Sequence, residues 1–257
     1  MITLTTDFGT RDSYIAEMKG VILTINPEAT LIDITHEVEK FNARVGAFIL
    51  ASAARYFPKG TVHLVVVDPG VGTERQAILA QTERGFFVGP DNGVLMLAAQ
   101  NQGILRIHEL ANPKFMLPNV SSTFHGRDIF APAAAYLDSG VKPSEFGPEI
   151  SNPVMPEFAS VQKNNGSLVG EVLNVDAFGN IITNITHEEM AETKIIKVKL
   201  PKISLNLTFA KIYAEVEPQE AIALIGSHGF VEIALNQGSA AEKFQAKAGD
   251  KVEVSPA

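Results

Sequence analysis

The chain has 257 residues, of which 46% are hydrophobic, carries a formal charge of −8 and contains no cysteine. That length suits one large domain, or a medium and a small one, with a sizeable core. The composition excludes disulfides and thiolate chemistry, and the acidic balance argues against nonspecific nucleic-acid binding and against an anionic membrane surface. No apolar run approaches the roughly 18 residues that span a bilayer. The opening "MITLTTDFGT" lacks the basic and apolar regions of a signal peptide, so a cytoplasmic location is expected and the sequons at Asn119, Asn184 and Asn206 are read as chance.

In chain order, "MITLTT" reads as a strand and "DSYIAEMKGVILTIN" as an amphipathic helix closed by Asn-Pro. "ATLIDIT" is a second strand, and "FNARVGAFILASAARYF" a longer helix ended by Pro58. "GTVHLVVV" is a buried strand, "GFFVGP" another, "NGVLMLAAQ" a helix, and "IFAPAAAYL" a further helical pattern. Near-continuous apolar strands separated by helices predict an α/β domain with a mostly parallel sheet covered on both faces. In such sheets ligands sit outside the carboxyl ends of the strands. Residues 147–167 are rich in Pro, Asn, Gly and Ser and read as a linker. The expected division is an N-terminal α/β domain over 1–152, a linker over 153–166 and a C-terminal domain over 167–257. Beyond the linker come "LVGEVLNVD", "NIITNIT", "KIIKVKL", "ISLNLTFA", "EAIALIG", "GFVEIALN" and "DKVEVS", short and often alternating. They predict a smaller all-β, barrel-like domain.

Several short motifs carry chemistry-bearing residues, and each also has a structural reading. Asp7 follows the first strand directly, and either caps a turn or presents a carboxylate at the sheet's carboxyl edge. Asp-Phe-Gly is no kinase motif here, because too few residues precede it to hold a Gly-rich loop. Asp68 has the same placement in "VVVDPGVGTER", where Pro69 fixes φ and Gly70 and Gly72 permit a tight path into Arg75. "GVGTER" lacks the third glycine of a dinucleotide fingerprint, which rules out that site. "STFHGRDIF" packs His125, Arg127 and Asp128 together before a helix. Asp7, Asp12, Asp68, His125 and Asp128 are acceptable metal ligands by type, but none has the spacing of a strong metal motif, and no metal is expected. Phe-Gly-Asn in "VDAFGNIITNI" and Ser-His-Gly in "GSHGFVEIALNQGSA" sit at predicted hairpin tips, where a turn alone explains either.

Taken together and in this order, "TTDFGTRDSY", "VVVDPGVGTER", "FVGPDNGVL", "TFHGRDIFAPAAA", "VDAFGNIITNI" and "GSHGFVEIALNQG" resemble the S-adenosyl-L-methionine (SAM) hydroxide adenosyltransferases. These are adenosine-forming SAM hydrolases related to fluorinases and chlorinases. The resemblance runs from residue 2 to about 240. It implies hydrolysis of SAM to adenosine and L-methionine, without cofactor or metal. It also implies a homotrimer whose sites lie between the N-terminal domain of one subunit and the C-terminal domain of the next. The hydrolytic triad would fall on Asp68, Arg75 and His125. Asp7 would bind the ribose hydroxyls, and Asp12 and Ser13 the methionine side. Phe41 would lie near the ribose and Phe124 beside the triad histidine. Asp176 and Ser227 would contact the methionine amine and carboxylate, and Phe178 and Asn180 the adenine. His228 stands where the halogenating relatives have arginine. Those relatives have a tyrosine-type or neutral residue at the position of Asp68, and the fluoride-using ones a serine at that of Gly126.

The chemistry this implies is attack of one positioned water, in line, on ribose C5′, with methionine leaving as a neutral thioether. Asp68 can accept a proton, Arg75 can orient that carboxylate, and His125 can donate to or accept from the same water. Which group acts as base stays open at this level. The competing expectations are a halide-using SAM enzyme of the same fold, a SAM- or adenosine-binding module without turnover and, more distantly, a metal-dependent phosphohydrolase.

Overall fold

The computed structural model describes residues 1–164, 166–190 and 194–257, and the chain divides into two compact units, Met1–Pro156 and Glu157–Ala257. The first unit runs β1 (Ile2–Thr6), α1 (Tyr14–Ile25), β2 (Leu31–Thr35), α2 (Ala43–Ala54), β3 (Thr61–Val66), β4 (Ala77–Thr82), β5 (Gly85–Pro90), α3 (Met96–Asn101) and β6 (Ile104–Glu109). A five-residue π-helical turn, Gly126–Phe130, then leads into α4 (Ala131–Asp138). The sheet order is β2-β1-β3-β5-β4-β6, and β4 alone runs against the others. The expected mostly parallel sheet is therefore present, with β4 and β6 added. Their sequences, "AILAQT" and "ILRIHE", are too short and too mixed to declare a strand without a neighbour.

β1 and β3 are buried along their whole length because both faces of the sheet are covered. Ile2, Leu4, Val62, Leu64 and Val66 face a core shared with Met18 and Ile22 of α1 and the alanines of α4. The alternate residues face the other way, where the bare α-carbon of Gly46 in α2 lets Val67 and Val94 approach. Thr3 and His63 point to that second face and share a hydrogen bond of 2.8 Å, with His63 stacked on Phe87. Burial pushes the His63 imidazole down to about 4.

From β1 the chain passes through α1 to β2 on one side, and through α2 to β3 on the other. The carboxyl ends of β1 and β3 thus flank the point where strand order reverses, which is where open α/β sheets leave a crevice. Asp7 and Asp68 follow there, the latter two residues past the end of β3.

The second unit holds β7 (Gln162–Asn164), β8 (Ser167–Val175), β9 (Ile181–Thr186), β10 (Ile195–Leu200), β11 (Ile203–Ala210), β12 (Ala221–Ile225), β13 (Phe230–Leu235), α5 (Ala240–Phe244) and β14 (Lys251–Pro256). The β14–β8 pairing closes the ring β14-β10-β11-β12-β13-β9-β8 into a seven-stranded barrel. Val172, Ile181, Ile196, Val198 and Ile233 are among the side chains that fill it. Closure removes free strand edges, which suits strands this short. The segment expected as a linker contains a one-turn helix, Glu157–Ala159, and β7, which pairs with β8. α5 escapes sequence reading because a single helical turn shows no periodicity.

Candidate active site

The crevice at the switch point opens into a cavity of about 690 Å³ lined by Asp7, Asp12, Phe41, Asp68, Phe124 and His125, with others. Asp68 ends the buried valine run. Arg75, seven residues on, folds back over the tight turn between them. Its Nε donates to both Asp68 oxygens, at 2.9 and 3.1 Å, and its Nη2 donates to Oδ2. The same Nη2 donates to Nδ1 of His125 at 2.9 Å. An arginine has no acceptor, so Nδ1 must carry the lone pair, and the neutral ring keeps its proton on Nε2. Burial, and then the charge of Arg75, push His125 below its ordinary 6.5, which favours that neutral form. The guanidinium also lies 5.2 Å from the ring centroid of Phe130.

Two turns carry these groups. Gly72 has φ +77°, and a Cβ there would lie 2.3 Å from the carbonyl oxygen of Ser122, so only glycine lets the Asp68 loop approach the segment before His125. His125 caps the π-helical turn, and such turns recur at functional sites. Within that turn the fully buried Asp128 accepts from the Ser121 N–H at 2.8 Å and from Arg127 at 2.7 Å. Arg127 also bonds Glu17 at 2.9 Å and lies 5.0 Å from the Phe124 ring centroid.

On the neighbouring strand end, Asp7 accepts from the Phe41 N–H at 2.8 Å. Burial raises Asp7 above its ordinary 3.8; the Phe41 N–H opposes this, and the charge of Asp68 adds to it. Phe41 has φ +65° and is 71% exposed. A left-handed aromatic costs about 1–2 kcal/mol, and the bond to Asp7 helps to hold it there. Ser13 is the N-cap residue of α1 and gives its hydroxyl to Glu17 at 2.7 Å, so its side chain is engaged on its own helix. Phe8 and Tyr14, which sequence reasoning passed over, also line the cavity and pack edge-to-face with Phe124, at 5.8 and 5.1 Å between ring centroids. Their signal was proximity in sequence to Asp7.

The remaining expected residues lie in the barrel unit. The Asp176 carboxylate accepts from the N–H groups of Phe178 and Asn180, both at 2.9 Å, and from the Asn180 amide at 3.0 Å. It therefore shapes the β8–β9 tip, which leaves Phe178 79% exposed. Ser227 and His228 sit on the β12–β13 tip. His228 Nδ1 accepts from the Phe230 N–H, and Nε2 faces Glu232 at 3.3 Å. Glu232 is buried in β13 and accepts from the Tyr213 hydroxyl at 2.6 Å. Burial, Glu232 and Asp176 all raise Tyr213, so the Asp176 charge is felt at this cluster. A glutamate inside the apolar run "FVEIAL" was the available signal for it.

Among the described residues, no group of three or more His, Asp or Glu could hold a metal ion, and no helix is long and apolar enough to cross a membrane. Comparison with known proteins extends these observations over the whole chain. The profile of the SAM hydroxide adenosyltransferase N-terminal domain matches residues 2–147, and that of its C-terminal domain residues 170–253. The (R)-S-adenosyl-L-methionine hydrolase of Methanocaldococcus jannaschii is 37% identical over 269 residues, covering 99% of this chain and 95% of that protein. The fluorinase of an Actinoplanes species is 25% identical over 291 residues, covering 100% of this chain and 98% of that protein. A solved structure of an uncharacterized conserved protein from Thermotoga maritima superposes with a TM-score of 0.91 at 40% identity, covering 99% and 100% of the two chains. With both domain profiles matched and full-length relatives well above 30% identity, the chain belongs to the SAM hydroxide adenosyltransferase family.

Proposed function

We propose that this chain hydrolyses (R)-S-adenosyl-L-methionine to adenosine and L-methionine by in-line attack of one positioned water on ribose C5′. The observation that carries this reading is Arg75 bridging Asp68 and His125 at the carboxyl edge of the sheet. Arg75 occupies the His125 lone pair, so the imidazole offers only its Nε2–H to a water. Asp68 offers only acceptors. One donor and one acceptor orient a water and give its proton a destination, which makes Asp68 the base and His125 the donor. The sulfonium leaves as a neutral thioether, so no acid or Lewis acid is required at sulfur. No cofactor or metal takes part in this scheme.

The cavity suits a cationic substrate, since four lining carboxylates, Asp7, Asp12, Glu17 and Asp68, outnumber the cations Lys40 and Arg127 and the Arg75 paired with Asp68. Asp7 binds the ribose hydroxyls and Asp12 the methionine side. Phe41 and Phe124 supply an apolar surround. Asp176, Phe178, Asn180, Ser227 and His228 complete the site from a neighbouring subunit of a cytoplasmic homotrimer. This assembly follows the family resemblance and is checked by light scattering, where a fully active monomer would contradict it.

Halide is the competing nucleophile. A bare Asp68 carboxylate would repel a halide about 4 Å away by roughly 4 kcal/mol at an effective dielectric near 20, and the Arg75 charge paired with it offsets part of that. Gly126 has no hydroxyl to donate to a halide, and a serine there would need Met18 Sδ and the Phe124 ring, each 3.3 Å from its Cβ, to give by a few tenths of an ångström. The test is turnover in oxygen-18 water with high chloride. Label is expected in the 5′-hydroxyl of adenosine and not in methionine. A 5′-chloro nucleoside as main product, or unlabelled adenosine, would overturn the proposal.

A further inference from the structure

The motif "GPDNGVL" has no part in the site described so far, yet its turn meets both ends of the catalytic loop. Residues 67–76 connect β3 to β4, and β5 lies between those strands in the sheet. Where β5 ends, the Asn92 amide donates from Nδ2 to the carbonyl of Val67 at 2.8 Å. Val67 is fully buried and immediately precedes Asp68, so its carbonyl needs a partner once the strand ladder has stopped. Asn92 Oδ1 accepts from the Val94 N–H at 3.2 Å, which fixes the amide with its donor side toward Val67. At the other end of the loop, the Asp91 N–H donates to the Gln76 carbonyl at 2.9 Å, one residue after Arg75. The Asp91 carboxylate in turn accepts from the Val154 N–H at 2.9 Å, which anchors the turn.

We propose that Asn92 is a positioning residue for the hydrolytic centre. By holding the Val67 peptide, it sets the direction in which Asp68 leaves the sheet, while the adjoining peptide holds the end of the loop that carries Arg75. Asn92 is not among the residues lining the cavity, so its influence falls on the chemical step rather than on substrate binding. The inference rests on the hydrolytic reading above.

Two substitutions test it in the full chain. Asn92→Ala removes the amide. Asn92→Asp keeps the shape and the bond to Val94, but turns an acceptor toward the Val67 carbonyl. Single-turnover adenosine formation at neutral pH should fall by about 10- to 100-fold at saturating SAM in both, the scale of a misplaced catalytic group, with half-saturation little changed. As pH falls, the introduced carboxyl protonates and can donate to Val67, so the ratio of Asn92→Asp to wild type should recover. Asn92→Ala should show no such recovery, and rates are referred to the folded fraction read by circular dichroism at each pH, so that a fold merely destabilised by the new carboxylate does not mimic it. A wild-type plateau rate, a loss confined to half-saturation, or a pH-independent ratio would overturn the proposal. If Asn92→Ala does not fold, the pH ratio of Asn92→Asp decides alone. If Asn92→Asp does not fold, Asn92→Ala combined with Asp68→Asn decides: positioning requires no further loss beyond that of Asp68→Asn, and an added loss overturns it. Wild type and Asp68→Asn separate the two readings. If wild type forms no adenosine, the hydrolytic reading falls; if it does and Asp68→Asn does not, the Asn92 result bears on positioning alone.

Discussion

Replacing Arg75 by lysine isolates what the bridge contributes beyond its charge. Lysine keeps one positive charge but loses the planar fork. Arg75 now spans both oxygens of Asp68 and, at 2.9 Å, the Nδ1 of His125. One ammonium cannot reach all three in that geometry, and the contact to His125 is the one without an opposite charge to retain it. A hydrogen bond from a charged group is worth about 1.5–3 kcal/mol. If that bond serves only to present the Nε2–H to the reacting water, Arg75→Lys should slow the plateau rate of single-turnover hydrolysis by about 10- to 150-fold. The SAM concentration for half-saturation should change little, because Arg75 is not among the residues lining the cavity. Nitrogen-15 spectra of the imidazole give a second readout. Wild type should show the Nε2–H tautomer, and Arg75→Lys a mixture. A wild-type plateau rate with an unchanged tautomer would refute the bridging role, as would a loss seen only in half-saturation.

Asp7→Ala should act on binding instead. It releases the Phe41 N–H and, on the proposed ribose role of Asp7, leaves the ribose hydroxyls without an acceptor, costing about 1–3 kcal/mol, or roughly 5- to 150-fold in SAM affinity; an effect on the plateau rate alone would remove the ribose assignment. His63 predicts an acid-labile fold. Its native value is about 4 against an ordinary 6.5, so between those values the unfolded chain binds more protons and stability rises with pH. Stability should therefore fall by about 3 kcal/mol as pH drops from 6.5 through 4. Urea unfolding of wild type and His63→Leu across that range checks this, and parallel curves would contradict it.

Much of the fold is legible in the chain because its signals are local. The valine run before Asp68, the apolar β1 and the helices between them carry periodicities that neighbouring residues alone define. The alternating runs after residue 167 do the same for the barrel strands. β4 and β6 were not legible, because six mixed residues become a strand only when a neighbour supplies the ladder. For the site, sequence order and motif resemblance singled out Asp68, Arg75 and His125, and turn chemistry explains the close return of Arg75 to Asp68.

What the sequence determined by itself is therefore the order of the longer elements, the family, and the residue types able to do the chemistry. Tertiary structure decided which atoms meet. His125 lies 50 positions from Arg75, and only the approach of the Gly72 turn to Ser122 brings the guanidinium to Nδ1 and selects the ring's tautomer. Glu232 reads as one polar residue in a strand until the barrel places Tyr213 and His228 against it. Asn92 reads as a turn residue until β5 ends beside β3 and leaves the Val67 carbonyl for it to hold. The physical reason is the same in each case. Periodicity and turn preference act over a few bonds, whereas hydrogen bonds between distant segments depend on packing, and packing is a property of the whole folded unit.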